Sequence, residues 1–154
     1  MREIVVVVDS TKLNQLARFC LTCRGVIRDV FLSGKAKGYR FVSTTTNLRR
    51  ALQAFIRELP EGVDLSAISK LYVKEAFLLL DAVVPKRFYT PSIPLAKELL
   101  EDEDYEFEDA QALALAVELK KEGFDVFLWT NDKDFLLKSS KIEEATGVKV
   151  IKLL

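Results

Sequence analysis

The chain of 154 residues contains no histidine, and this absence narrows the chemistry that it can perform. A histidine general base, a Ser-His-Asp triad and a histidine-ligated zinc ion are all excluded. Any hydrolysis by this protein must therefore rely on carboxylates, on lysines or on metal ions bound by oxygen.

Cysteine is scarce, and the two that are present, Cys20 and Cys23, form a single C-x-x-C. A structural zinc site within one chain needs a second such pair. The pair falls in the middle of a predicted helix, whereas redox pairs use a helix N-terminus to lower the thiol pKa. We interpret both residues as free thiols in or near the core, with an intermolecular metal or redox role as the alternative.

Long apolar runs are also missing. Runs such as Ile4–Val8 and Ala76–Leu80 are far too short to span a bilayer. Met1-Arg2-Glu3 leads directly into a predicted strand, which predicts no signal peptide. We therefore expect a cytoplasmic protein with no membrane association and about one domain.

The formal net charge is zero, but the charges are segregated along the chain. Residues 1–57 carry 11 Lys or Arg against 3 Asp or Glu, and residues 58–109 carry 5 against 13. A basic part facing an acidic part suits a polyanion held beside a metal-binding acidic pocket. The alternative is a set of solvated helix faces that happen to differ in sign.

Predicted strands alternate with predicted helices, which indicates a parallel sheet with helices on both faces. Hydrophobic patterns predict strands over 3–8, 40–43, 125–130 and 148–153, and helices over 11–31, 46–57, 65–83, 93–101, 108–122 and 139–146. Ser33–Gly38 is predicted to be a basic loop. We expect a three-layer, Rossmann-like α/β fold in one domain over 1–154, with a helical insertion at about 58–107.

Three aspartates from distant parts of the sequence are predicted to lie at one edge of this sheet. Asp9 follows the first strand, Asp109 opens an alanine-rich helix, and Asp132 follows the strand over 125–130. Open α/β sheets bind ligands at the carboxyl ends of their strands, and clustered carboxylates suit Mg²⁺ or Mn²⁺. Each aspartate alone is equally well explained as a helix cap or a turn residue, so the prediction depends on the set.

These residues resemble a PIN domain: a strand ending in Asp9, then Glu108-Asp109-Ala110 before an alanine-rich helix, then Trp129-Thr130-Asn131-Asp132-Lys133-Asp134-Phe135. The resemblance covers most of the chain, and its specific part lies in the C-terminal third. It implies a short parallel sheet flanked by helices and metal-dependent cleavage of RNA phosphodiester bonds. It also implies that Asp9, Asp109 and Asp132 are catalytic and bind Mg²⁺ or Mn²⁺, that Asp134 is a less essential metal ligand, and that Thr130 supports Asp132.

One position departs from the family pattern. The family places a glutamate early in the helix after the second strand, and Asn47 is the nearest counterpart here. An amide carbonyl can ligate Mg²⁺ but brings no charge, so Asn47 as a ligand predicts weaker metal binding or lost activity. Glu75 and Asp81 are alternative donors within the predicted insertion.

RNA, single-stranded or structured, is the partner that the resemblance implies. Basic residues expected to contact its phosphates are Lys35, Lys37, Arg40, Arg49 and Arg50, with ordinary solvated surface as the alternative. An antitoxin-like protein is a further partner if the chain is a toxin. The apolar residues of 65–84 also suggest a homodimer.

Three functions are open on the sequence alone. The leading hypothesis is a metal-dependent endoribonuclease that hydrolyses RNA with metal-activated water. The second is a PIN-like scaffold that binds RNA or protein without catalysis, which the Asn47 departure favours. The third is a phosphate-transferring α/β domain with Asp9 as nucleophile, which is disfavoured because Thr11 occupies the position of the second aspartate that a haloacid-dehalogenase-like phosphatase requires.

Overall fold

The computed structural model describes residues 2–21, 26–101 and 107–154. Within these ranges the strands form one five-stranded sheet: β1 (Ile4–Val8), β2 (Arg40–Thr44), β3 (Ala82–Val84), β4 (Asp125–Trp129) and β5 (Lys149–Ile151). All neighbouring strands are parallel, and their order across the sheet is β3-β2-β1-β4-β5. The prediction of an α/β fold with a short parallel sheet is confirmed.

Helices connect successive strands. They are α1 (Ser10–Leu21), α2 (Val26–Ala36), α3 (Thr45–Arg57), α4 (Leu65–Leu79), α5 (Lys86–Tyr89), α6 (Ile93–Leu100), α7 (Glu108–Lys121), α8 (Lys133–Leu137) and α9 (Ser139–Thr146), with a 3-10 turn over Thr90–Ser92. The helices α1 to α4 supply the core on one face of the sheet, and α5 to α9 supply the core on the other. The molecule therefore has the three layers that were predicted.

The valines of β1 explain why a continuous apolar run forms its central strand. Successive side chains of a strand point to opposite faces of the sheet. Val5 and Val7 belong to the core beneath α5 to α9, and Val6 and Val8 belong to the core beneath α1 to α4. A parallel strand covered by helices on both sides needs apolar residues at every position.

Two segments differ from the sequence expectation. The predicted loop Ser33–Gly38 is mostly helical, because α2 continues to Ala36. Gly34 serves close packing there, since a Cβ atom at this position would lie 2.6 Å from the Phe41 ring. The predicted helix over 65–83 ends at Leu79, and β3 follows it as an edge strand, so the expected helical insertion supplies part of the sheet.

Some predictions fall beyond the described structure. Cys23, Glu106 and residues 102–104 of the acidic run lie outside the described residues, and only the backbone of Cys20 is described, within α1. In the described parts of the chain, no helix has the length and apolar content needed to cross a membrane.

Candidate active site

The strand order reverses between β1 and β4, because the chain builds β2 and β3 on one side of β1 and then β4 and β5 on the other. Ligands of open α/β sheets bind at the carboxyl ends of the strands at such a reversal. Asp9 directly follows β1, and Thr130 directly follows β4. The backbone N–H of Asp9 donates to the carbonyl of Trp129 at 3.0 Å, so the two strand ends lie side by side.

The carboxylate of Asp9 is buried and is held through one of its oxygens. The hydroxyls of Thr11 and Thr130 both donate to Oδ2, at 2.9 and 2.8 Å. The Thr11 hydroxyl accepts the backbone N–H of Asn131 at 3.0 Å, and the Thr130 hydroxyl accepts that of Asp132 at 2.9 Å. These backbone bonds orient both hydroxyls so that their protons point at Asp9.

The second oxygen of Asp9, Oδ1, is buried and has no hydrogen-bond partner in the described structure. Burial raises the pKa of Asp9, although the bonds from Thr130 and Thr11 act in the opposite direction. A buried carboxylate oxygen without a partner is unfavourable unless a proton or a cation meets it. This oxygen is therefore a sign of a binding site at the carboxyl end of β1.

Asp109, the second residue of α7, lies close enough to Asp9 and Asp132 for their charges to affect its pKa. Burial, reinforced by the charges of Asp9 and Asp132, raises the pKa of Asp109 to about 8. The carboxyl of Asp109 also forms a hydrogen bond with the side chain of Asp132, and two acids can share such a bond only when one holds a proton. Asp109 is therefore largely protonated at neutral pH.

Asp132 also caps the N-terminus of α8. Its Oδ1 accepts the backbone N–H of Asp134 at 2.8 Å. Among the described residues, no three acidic side chains stand close enough together to hold a metal ion. The acids form a bonded pair, Asp109 and Asp132, beside a buried third acid, so side-chain rotation of the pair is required before all three could ligate one ion. Their oxygen donors, one of them unpaired, fit a hard cation such as Mg²⁺ or Mn²⁺ in chemistry.

Asn47 is buried at the start of α3, where its side chain joins three elements. Its Oδ1 accepts the backbone N–H of Ser10 at 3.0 Å, and its Nδ2 donates to Thr44 Oγ1 at 2.7 Å and to the carbonyl of Glu108 at 3.2 Å. A glutamate could not donate the last two bonds. Asn47 thus positions the end of β1 against the starts of α3 and α7, and its amide oxygen already accepts one hydrogen bond.

No family model, curated protein or solved structure matches this chain. The resemblance to PIN domains therefore remains a prediction that rests on the residues described above.

Two of the five predicted phosphate-binding residues lie on α3, and one of them, Arg50, lies beside the acidic edge. Arg49 and Arg50 are exposed on α3, close to Asn47 in sequence. The Nε atom of Arg50 lies 3.9 Å from Oε1 of Glu108, the residue before Asp109. The structure therefore places positive charge next to the acidic edge on this side.

The other three, Lys35, Lys37 and Arg40, lie at the opposite edge of the sheet. Arg40 opens β2 and pairs with the second residue of β1, four positions before Asp9 and therefore about 13 Å away along the strand. Lys35 Nζ lies 3.6 Å from Oδ1 of Asp81, which shows that Asp81 is also remote from the acids. These residues do not join the candidate site, since residues that precede a strand lie at its amino end.

A cavity of about 160 Å³ opens beside Asp109. Its walls are formed by Leu100, Glu101, Phe107, Asp109, Asp134, Phe135 and Lys138. Asp134, predicted to be a metal ligand, is exposed and faces this cavity together with Asp109. The cavity had no sequence signal, because its walls come from α6, α7 and α8, and only the folded chain brings these together. Thr11 was also missed as a partner of Asp9, although it lies only two residues away in the sequence.

Proposed function

We propose that this protein is a cytoplasmic, metal-dependent endoribonuclease of the PIN type, with its active site at the carboxyl ends of β1 and β4. The buried, unpaired Oδ1 of Asp9 beside the Asp109–Asp132 pair is the observation that supports the proposal most strongly. The three acids come from three separate elements and lie near the strand reversal, the place where α/β sheets bind ligands.

Asp9, Asp109 and Asp132 would hold Mg²⁺ or Mn²⁺. Such an ion, when bound, lowers the pKa of water and stabilises negative charge on a phosphate. The hydroxyls of Thr11 and Thr130 fix the orientation of Asp9 in advance. Without a bound ion Asp109 holds a proton near neutral pH, so binding of the ion would release that proton.

The basic residues on α3 complete the proposed site. Arg50 lies next to Glu108, where it can contact a phosphate of the bound strand, and we expect the exposed Arg49, its neighbour in sequence, to contribute as well. Contacts of this kind position RNA without reading its sequence, and they weaken as salt rises.

The experiment is cleavage of a labelled single-stranded RNA pool in Mn²⁺, Mg²⁺ or EDTA. We expect metal-dependent cutting by the wild type, loss of cutting in Asp9→Asn and Asp109→Asn, and full activity in Asp64→Asn. Asp64 is a matched control, because it is an exposed acid that caps α4, and asparagine caps equally well. Cutting in EDTA, or equal cutting by wild type and Asp109→Asn, would refute the proposal.

A second function, an RNA- or protein-binding scaffold without catalysis, is favoured by two observations. Asn47 brings no charge where the PIN pattern has a glutamate, and its side chain already makes three structural hydrogen bonds. The three acids also do not form a closed ligand set in the described residues. Binding of RNA without cutting in any metal would support the scaffold over the nuclease.

A further inference from the structure

The cavity beside Asp109 has the size and position of a subsite for one nucleotide base. Its volume of about 160 Å³ is well below the roughly 300 to 1,000 Å³ of pockets for drug-sized molecules. Asp109 belongs both to this cavity and to the acid site. A nucleotide whose phosphate lies at the acids therefore has its base within reach of the cavity.

Phe107 offers an aromatic face at the mouth of this cavity. It directly precedes α7 and is 44% exposed, whereas Phe135 on the other side of the cavity is fully buried. A base that stacks on such a ring gains roughly 10-fold or more in affinity, whichever base it is. Phe107 thus supplies the stacking surface, and the selectivity must come from the polar groups.

Three acids and one lysine supply the polar groups of the cavity: Glu101, Asp109, Asp134 and Lys138. Glu101 is paired with Lys141 at 3.4 Å, and Asp109 is bonded to its neighbouring acid. In the described part of the chain, the carboxylate of Asp134 has no partner, so it is the acceptor that remains for a ligand.

Lys138 supplies a donor next to this acceptor. Its Nζ donates to the carbonyl of Leu100 at 2.6 Å, which fixes the ammonium group at the cavity wall. An ammonium group has three donor hydrogens, so two remain for a ligand.

A carboxylate beside an ammonium group matches the Watson–Crick edge of guanine. On that edge N1–H and the 2-amino group are adjacent donors for one carboxylate, and O6 is an acceptor for the ammonium group. Adenine and cytosine offer only an amino donor there, and uracil offers one N–H between two acceptors. We propose that Asp134 and Lys138 bind a guanine that stacks on Phe107, beside the phosphate to be cut. The inference rests on the proposed function and adds its base preference.

Binding of nucleotides in EDTA tests the subsite without requiring catalysis. Calorimetric titration with guanosine, inosine and adenosine 5′-monophosphates should show guanosine binding about 10-fold or more tightly than inosine, which lacks the 2-amino group. Asp134→Asn should reduce guanosine binding to the level of inosine, and Phe107→Ala should weaken all three. Phe77→Ala, an equally exposed phenylalanine on α4, should change nothing.

Equal binding of the three nucleotides, or no binding at millimolar concentration, would overturn the guanine subsite. Sequencing of the cut sites in the RNA pool separates the two proposals. Cutting next to guanosine by the wild type, spread over other bases in Asp134→Asn, supports both. Cutting without base preference refutes the subsite and leaves the nuclease standing. Selective guanosine binding without any cutting supports the subsite and refutes the nuclease.

Discussion

Replacement of Asp109 by asparagine should change the pH dependence of stability in a defined direction. The pKa of Asp109 is raised from an ordinary 3.8 to about 8 in the folded protein. Between these values the folded state keeps a proton that the unfolded state releases. The free energy of unfolding therefore falls as pH rises through this window, by about 1.4 kcal/mol for each pH unit.

The size of the effect follows from the width of that window. From pH 4 to pH 7 the single proton on Asp109 costs the wild type about 4 kcal/mol of stability. The charges that face it from the surrounding elements, on Asp9, Asp132 and Glu108, all act in this direction. An asparagine cannot ionise, and its amide can donate to Asp132 in place of the shared proton. Relative to wild type, Asp109→Asn should therefore gain about 4 kcal/mol between pH 4 and pH 7.

Urea denaturation in EDTA at several pH values measures this difference directly. Taking the difference between the two proteins removes the contribution of groups that titrate alike in both. Asp64→Asn, which replaces an exposed helix cap, should follow the wild-type pH profile. A difference between wild type and Asp109→Asn that does not change with pH would refute the buried, charge-coupled environment of Asp109.

Three further variants test the supports of the site. Asn47→Ala should lower the free energy of unfolding by about 2 to 4 kcal/mol, because it leaves buried backbone groups of two elements unpaired. The control Gln53→Ala, at an exposed position on the same helix, should lower it by less than about 0.5 kcal/mol. Equal losses in the two variants would contradict the structural role of Asn47. Thr130→Val should cost about 1 to 3 kcal/mol by urea denaturation, and Thr130→Ser should restore most of it, because the hydroxyl carries the effect. Arg50→Gln should weaken RNA binding and lower its salt dependence by about 0.7 in log–log slope, measured by filter binding. Lys74→Gln, at an exposed position on α4, should leave the affinity and its salt dependence unchanged. Equal effects of Arg50→Gln and Lys74→Gln would show that Arg50 is not a specific RNA contact.

One physical reason explains why the sequence allowed prediction of the central strands and of the polar residues at their ends. A strand covered on both faces must be apolar at every position, so β1 and β4 are recognisable as runs, and the first polar residue after each run lies at the carboxyl edge. Asp9 and Thr130 stand at these positions. The third strand was missed because its three half-buried residues continue the apolar pattern of α4, interrupted only by Asp81.

The five predicted phosphate-binding residues fall into two groups according to their position relative to β2. Lys35 and Lys37 precede β2 and Arg40 opens it, so all three lie toward its amino end, whereas Arg49 and Arg50 follow β2 at its carboxyl end. Parallel topology alone could have separated these two groups. The bonds of Asn47 and the walls of the small cavity could not be predicted, because they join elements that are far apart in the sequence and meet only when the helices pack.

Mn²⁺ binding at pH 7, measured by calorimetry in two buffers of different ionisation enthalpy, tests the three-acid site most directly. We predict that the wild type binds Mn²⁺ and releases about one proton, because metal ligands bind in their deprotonated form and Asp109 holds a proton at this pH. Asp9→Asn and Asp109→Asn should bind more weakly, Asp109→Asn without the proton release, and Asp64→Asn should match the wild type. A wild type that binds no Mn²⁺, or binds it as well after Asp109→Asn, would contradict a metal site formed by Asp9, Asp109 and Asp132.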